Sequence, residues 1–268
     1  MESSWSQEIK RGLRTKFIGH EVICYKRSKS TNDIAKELAG TGIKEGVVII
    51  AREQTHGRGR LHGGLSRKWV SPPGGIYASI LLKPEIAPTQ APKLTLVSAI
   101  AMANFLRKQY HLDAGVKWPN DVLVKDKKIC GVLTEGSTRN KHLDYVIVGL
   151  GINANVAIEA LPKEIQETGT SIQNELGTEI SLTEFIQHFL EDFERLYVEF
   201  KENDLFPLLN AYEDLLLTPG QWIRIRTVHE TLEGVVQRID PDGSLVLKLA
   251  DNSVRRIISG EVVDSKRI

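Results

Sequence analysis

Glycines alternate with guanidinium groups in the run Gln54-Thr55-His56-Gly57-Arg58-Gly59-Arg60. Glycine lets backbone N–H groups approach an anion closely, and arginine offers a planar fork that matches phosphate or carboxylate. The run therefore suits anion binding, although the same residues would also serve as a solvated basic turn. It is not a P-loop, because no Gly-x4-Gly-Lys-Ser/Thr string exists, and it is not a Gly-x-Gly-x-x-Gly fingerprint opening a helix. A second segment, Lys117-Trp118-Pro119-Asn120-Asp121, sets a cation, an amide and a carboxylate around one turn that proline stiffens and tryptophan anchors. Taken alone it is equally a tight connection with a surface ion pair. Lys128 follows a few residues on, where hairpin pairing would return it towards Lys117. A third segment, Gly149 to Asn155, reads as a strand entering a loop with glycines for close backbone approach and asparagines whose amides match a purine edge; its plain alternative is a strand-end turn.

Other chemistries find no support. Seven histidines are scattered without ligand spacing, His56 and His62 read as loop residues, and no Gly-x-Ser-x-Gly elbow is present. Two cysteines, Cys24 and Cys130, lie inside apolar runs and make neither a disulfide framework nor a metal pattern, which points to a reducing compartment. A formal net charge of +1 gives no global field for nucleic acid or anionic membrane. No apolar run reaches spanning length, and the start lacks the features of a signal peptide, so a cytoplasmic location without membrane contact is expected.

The elements that must position these residues are mixed. Ser30 is placed to cap a short helix carrying Ile34, Ala35, Leu38 and Ala39. Val47 to Ala51 and Ile76 to Leu82 read as strands, and Leu94, Val97, Ile100, Ala101 and Leu106 mark a long helix ending near Arg107 and Lys108. Val122 to Val124 and Ile129 to Leu133 flank Lys125-Asp126-Lys127-Lys128 as a hairpin, and Tyr145 to Leu150 supplies another buried strand. Ser181 and Glu184 open a helix whose stripe from Phe185 to Phe200 should pack against the sheet. After Thr218-Pro219-Gly220, four short alternating runs between Trp222 and Ile258 look like a small β-barrel. The predicted architecture is α+β, with residues 1–217 as the main domain, 1–20 as its N-terminal extension and 218–268 as the barrel.

Taken together, Ser30-Thr31-Asn32, Gln54, Gly57 to Arg60, Lys117 to Asp121, Lys128 to Leu133 and Gly149 to Asn153 resemble the biotin–protein ligases in order and spacing. The resemblance covers most of residues 15 to 268, with the terminal segment similar to the SH3-like C-terminal domain of that family beside a mixed-sheet biotin/lipoate ligase-like catalytic domain. It implies that biotin and MgATP give biotinyl-5′-adenylate, and that a lysine of a biotin carboxyl carrier domain then takes the biotinyl group. Carried onto matching positions, it implies biotin binding by Ser30, Thr31, Asn32, Gln54, Arg58, Gly59, Arg60 and Lys128. It likewise implies ATP or adenylate binding by Arg58, Arg60, Trp69, Lys117, Asn120, Asp121, Lys128, Gly151 and Asn153. Lys128, Arg58, Arg60 and Lys117 would be catalytic, and Asp121 would hold Mg²⁺.

Electrostatics make that assignment sensible, because a carboxylate must approach an α-phosphate and both are anions. Two unit charges about 4 Å apart repel by roughly 1 kcal/mol in water and roughly 4 kcal/mol at an effective dielectric near 20, so a partly dry site needs fixed cations. Two features depart from the family pattern: Leu61 to Ser66 lengthen the stretch before Arg67-Lys68-Trp69, and His56 stands where a small residue is expected. The segment before Ser30 is too short for the DNA-binding domain some family members carry, so no operator binding is expected, and a homodimer is favoured by analogy with the family. The rival readings are a lipoate ligase or octanoyl transferase, whose Arg-Arg-x-x-Gly-Gly-Gly segment is absent, and a non-catalytic biotin sensor, against which Lys117 and Lys128 argue.

Overall fold

The computed structural model describes residues 3–62 and 65–267, with side chains at all of these except 61, 62, 65–67, 160 and 267. Gly63 and Gly64, in the lengthened stretch, lie outside the described residues.

Runs of β-branched residues with no polar interruption can only be satisfied inside a sheet covered on both faces. Such a run builds β2 (Val47–Ala51), and largely apolar stretches build β1 (Glu21–Tyr25), β5 (Ile76–Leu82) and β9 (His142–Ile152), which join β8 (Lys127–Arg139), β7 (Asp121–Val124) and β6 (Ala114–Lys117) in a seven-stranded sheet. The order is β1-β2-β5-β9-β8-β7-β6, with β1 and β2 parallel and the other neighbours antiparallel. The expected β7–β8 hairpin is present, turning through Lys125 and Asp126, both at positive φ.

Alternation along the strands divides the sheet into two faces. Ala78, Ile80, Val146 and Val148 enter the large core with α1 (Ser3–Gly12), α3 (Lys93–Tyr110), α6 (Leu182–Asn203) and α7 (Leu205–Ala211). Val47, Ile49, Leu81 and Ile147 face α2 (Thr31–Ala39) in a smaller cluster on the opposite side. Ser30 caps α2 through Asp33 N–H and Ser181 caps α6 through Glu184 N–H, both as the sequence predicts. The stripe of α6, however, lies mainly against α3 and α1 rather than directly on the sheet, because those helices already cover that face. Phe105 of α3 meets Phe185 edge-on, with ring centroids 5.0 Å apart.

The C-terminal part is a five-stranded antiparallel sheet in the order β13-β12-β11-β10-β14, an SH3-like arrangement. It comprises β10 (Gln221–Arg226), β11 (Thr231–Ile239), β12 (Leu245–Leu249), β13 (Val254–Ile257) and β14 (Glu261–Arg267). The fifth strand escaped the sequence reading because Glu261 to Arg267 is mostly polar. Trp118 joins the two parts, its Nε1 donating to Gly243 O at 2.9 Å while its backbone N–H donates to Thr218 Oγ1 at 3.0 Å.

Candidate active site

One cavity of about 730 Å³ opens on the α2 face of the main sheet and is bordered by Arg226 to Val228 and Ser259 to Val262 of the C-terminal part. Its floor is concave because three alternate positions on that face carry no side chain. Gly131 of β8 pairs with Gly151 of β9, and Gly149 stands two residues before Gly151. A Cβ at Gly149 would lie 2.3 Å from Asn32 Oδ1, and one at Gly151 would lie 2.5 Å from Trp69 Cε2. The floor is therefore reserved for Asn32 and for the Trp69 indole, whose Nε1 is buried and has no hydrogen-bond partner among the described residues.

At one end the wall is neutral and polar. Gln54 Oε1 accepts from Thr31 N–H at 2.8 Å and lies 3.2 Å from Thr31 Oγ1, while Gln54 Nε2 donates to Ser71 Oγ at 3.2 Å. Ser79 Oγ lies 2.7 Å from Thr31 Oγ1 and 2.5 Å from Asn32 Oδ1, and Asn32 Nδ2 donates to Glu135 Oε2 at 2.6 Å. Ser30, Thr31 and Asn32 are buried and line the cavity with Gln54. Fixed donors and acceptors of this kind suit a small, neutral, hydrogen-bonding group.

The other end is cationic. The Gly-Arg run is not an open turn: it enters β3 (Arg58–His62), which pairs antiparallel with β4 (Leu65–Lys68) as a hairpin, with Leu61 opposite Ser66 and His62 opposite Leu65. Arg58 donates two 2.7 Å hydrogen bonds to the Asp33 carboxylate and lies 3.5 Å from Glu135, which raises the guanidinium pKa and lowers that of Asp33. Arg60 reaches the C-terminal sheet, donating to Gly260 O and Ser259 Oγ at 3.1 Å each, and burial there lowers its pKa despite the nearby Asp121 and Glu261. Lys128 Nζ sits 2.6 Å from Asp121 Oδ1 and 5.0 Å from the centre of the Trp69 ring. The Lys117 side chain, among the described residues, has neither a hydrogen bond nor an ion pair, and Lys117 lines the same cavity.

Every residue to which the resemblance gives a role lines this one space, namely Ser30 to Asn32, Gln54, Arg58 to Arg60, Trp69, Lys117, Asn120, Asp121, Lys128, Gly151 and Asn153, whereas Asn155, also read from the sequence as a purine-matching amide, pairs instead with the Ile180 backbone. Two do less at the wall than their types suggested. Asn120 Nδ2 donates to Val132 O at 3.0 Å, and Asn153 Nδ2 donates to Thr170 O at 3.0 Å, which leaves the Asn153 carbonyl oxygen for a ligand. Sequence reasoning missed Asp33, Ser71, Ser79 and Glu135. Ser79 had a signal, being the only serine in the otherwise apolar strand Ile76–Leu82; Glu135 had none. Leu161 and Ile165 add an apolar wall beside Thr168 and Gly169.

Comparison with known proteins fits this geometry. Residues 24–153 match the biotin/lipoate A/B protein ligase family and residues 218–263 match the biotin protein ligase C-terminal domain. The bifunctional ligase/repressor BirA of Bacillus subtilis is 34% identical over 256 residues, covering 95% of this chain and 77% of that protein. The chain belongs to the biotin protein ligase family. The biotin–[acetyl-CoA-carboxylase] ligase of Paracoccus denitrificans is 32% identical over 225 residues, covering 83% of this chain and 92% of that ligase. The solved biotin protein ligase of Aquifex aeolicus in complex with biotin and ATP superposes with a TM-score of 0.77 at 27% identity, covering 93% of this chain and 100% of that one. Among the described residues, no helix of this family member is long and apolar enough to cross a membrane.

Proposed function

We infer that this chain is a biotin–protein ligase that activates biotin with ATP and transfers the biotinyl group to a lysine of a biotin carboxyl carrier domain. The observation that carries the reading is the polarity of the cavity, with amides and hydroxyls at one end and Arg60, Lys117 and Lys128 at the other. The ureido head group, a neutral donor–acceptor unit, fits the Ser30, Thr31, Asn32 and Gln54 end, and the valeryl chain fits against Trp69 over the glycine floor. That brings the biotin carboxylate to the cationic end.

There a carboxylate oxygen attacks the α-phosphorus, the bond to the bridging oxygen breaks, and pyrophosphate leaves, giving biotinyl-5′-adenylate. Lys117 and Lys128 offset the repulsion between the two anions and stabilise charge gathering on phosphorus, and holding both reactants together removes much of the entropic barrier. The acceptor amine then attacks the mixed anhydride carbonyl, AMP departs, and the amine loses a proton. No protein nucleophile takes part. Arg58, held by Asp33, anchors the β3–β4 hairpin over biotin, whereas Arg60 can turn from Gly260 towards the phosphate. Leu161 and Ile165 offer an apolar wall for adenine near Asn153.

Magnesium commonly binds through one or two carboxylates together with substrate phosphates and waters. No group of three or more acidic, histidine or cysteine side chains is placed to hold a metal among the described residues, but Asp121 beside the cationic end fits the single-carboxylate arrangement. Mg²⁺ would supply charge neutralisation on the nucleotide phosphates. The reading further takes the enzyme to be cytoplasmic and a homodimer; sedimentation tests the latter.

The deciding assay is pyrophosphate release from MgATP with biotin or lipoate offered separately, followed by transfer to a biotin carboxyl carrier domain. Turnover with biotin alone is expected. Turnover with lipoate alone, or biotin binding without pyrophosphate release, would overturn the reading.

A further inference from the structure

Glu135 of β8 stands behind the cavity wall rather than on it. Its Oε2 accepts from Asn32 Nδ2 at 2.6 Å and lies 3.5 Å from Arg58 Nη2, so one carboxylate touches both the polar end of the cavity and the anchor of the β3–β4 hairpin.

We propose that Glu135 is a positioning residue, which fixes the orientation of the Asn32 amide and thereby the hydrogen-bonding polarity of the head-group end. The proposal rests on the biotin reading above. An amide has a donor end and an acceptor end that a half-turn exchanges, whereas an ionised carboxylate only accepts. Glu135 therefore takes the NH₂ of Asn32 and directs its carbonyl to the opposite side, where Ser79 Oγ lies 2.5 Å away. Gly149 leaves room for that carbonyl, since a Cβ there would stand 2.3 Å from Oδ1. With the amide reversed, Ser79 would accept from Asn32, its single proton would turn to Thr31 Oγ1, and the Thr31 proton, otherwise given to Ser79, would turn to Gln54 Oε1, so the direction of the whole chain would reverse. Thr31 and Gln54 are cavity residues, so a carboxylate outside the wall sets which partners a ligand meets inside it. The Glu135 side chain is 42% exposed, so its removal leaves no hole in the core.

The test uses the whole chain, with calorimetric biotin affinity, KM for ATP and thermal midpoint measured for Glu135→Ala, Glu135→Gln, Asn32→Ala and the Glu135→Ala/Asn32→Ala pair. Loss of a hydrogen bond to a charged group sets the expected weakening of biotin binding by Glu135→Ala at about 10- to 100-fold. KM for ATP should stay within about threefold, and Glu135→Gln, which can still accept from Asn32, should stay within about threefold for biotin. In the Asn32→Ala background, Glu135→Ala should add less than about threefold, the mark of a residue acting through its neighbour. Unchanged biotin affinity in Glu135→Ala, losses that multiply in the pair, or Glu135→Gln as impaired as Glu135→Ala would overturn the proposal. Glu135→Ser takes the place of Glu135→Ala if the alanine variant does not fold. If the unaltered chain bound lipoate instead of biotin, the functional reading would fall, while the same cycle read on lipoate affinity would still uphold or overturn the coupling.

Discussion

Gly131 and Gly151 are register partners on β8 and β9, and the indole of Trp69 occupies the space their side chains would fill. A Cβ at Gly151 would come within 2.5 to 2.9 Å of three atoms of that ring, while at Gly131 the nearest ring atom would be 2.9 Å away and the other contacts belong to the flexible end of Lys128. Neither glycine is at positive φ, so the requirement is one of space.

Gly151→Ala should therefore push the indole off the floor and into the cavity. Overpacking of this kind costs about 1 to 3 kcal/mol of stability, and biotin affinity should fall by about tenfold or more. Gly131→Ala should be milder in both respects. Calorimetry and thermal melts on the two variants measure the difference, and equal effects would count against the indole's role as a wall.

Lys128→Ala should lower pyrophosphate release by about 100-fold or more while the chain stays folded, because it removes a fixed cation from beside the carboxylate and α-phosphate. Its partner Asp121 is itself partly exposed, so the stability lost with the ion pair should be only about 1 kcal/mol or less. Single-turnover assays and melts on the same samples separate the two effects; a near-normal rate would remove Lys128 from the reaction.

Ser79→Ala should cost about 1 to 3 kcal/mol, since it leaves the buried Asn32 carbonyl without the hydroxyl that meets it. The loss should appear in the thermal midpoint and again as weaker biotin binding, with KM for ATP nearly unchanged.

Asp33 gives a pH dependence whose sign follows from its paired state. Hydrogen bonds from Arg58 hold the carboxyl below its ordinary range, so the folded form binds its proton later than the unfolded chain does. The stabilisation is complete above the unfolded value, about 3.9, and disappears as pH falls through the lower folded value. Melts of the natural chain and Asp33→Asn should thus differ by a constant amount from pH 8 to about 5 and converge below about 4. The gap should be modest, because the Asp33 side chain is 46% exposed. A gap that changed between pH 6 and 8 would point to another group.

Much of this was legible in the sequence because the residues concerned obey local rules. A β-branched run announced β2 and a largely apolar one announced β5, capping serines announced α2 and α6, and the order of the motifs brought Ser30, Gln54, Lys117 and Lys128 into one site. What stayed hidden was set by long-range geometry. Asp33 could be read as a capping-box residue but not as the partner of Arg58, twenty-five positions away. Glu135 looked like an ordinary charge on a strand until the pairing of β8 brought it beside Asn32. The reach of Arg60 to Ser259 and Gly260 could not be seen at all, since nothing local specifies how two parts of a chain meet.

That reach makes the hairpin over the cavity and the terminal sheet mechanically continuous. A ligand that drew Arg60 inward would have to break its hold on Gly260, some two hundred positions further along the chain.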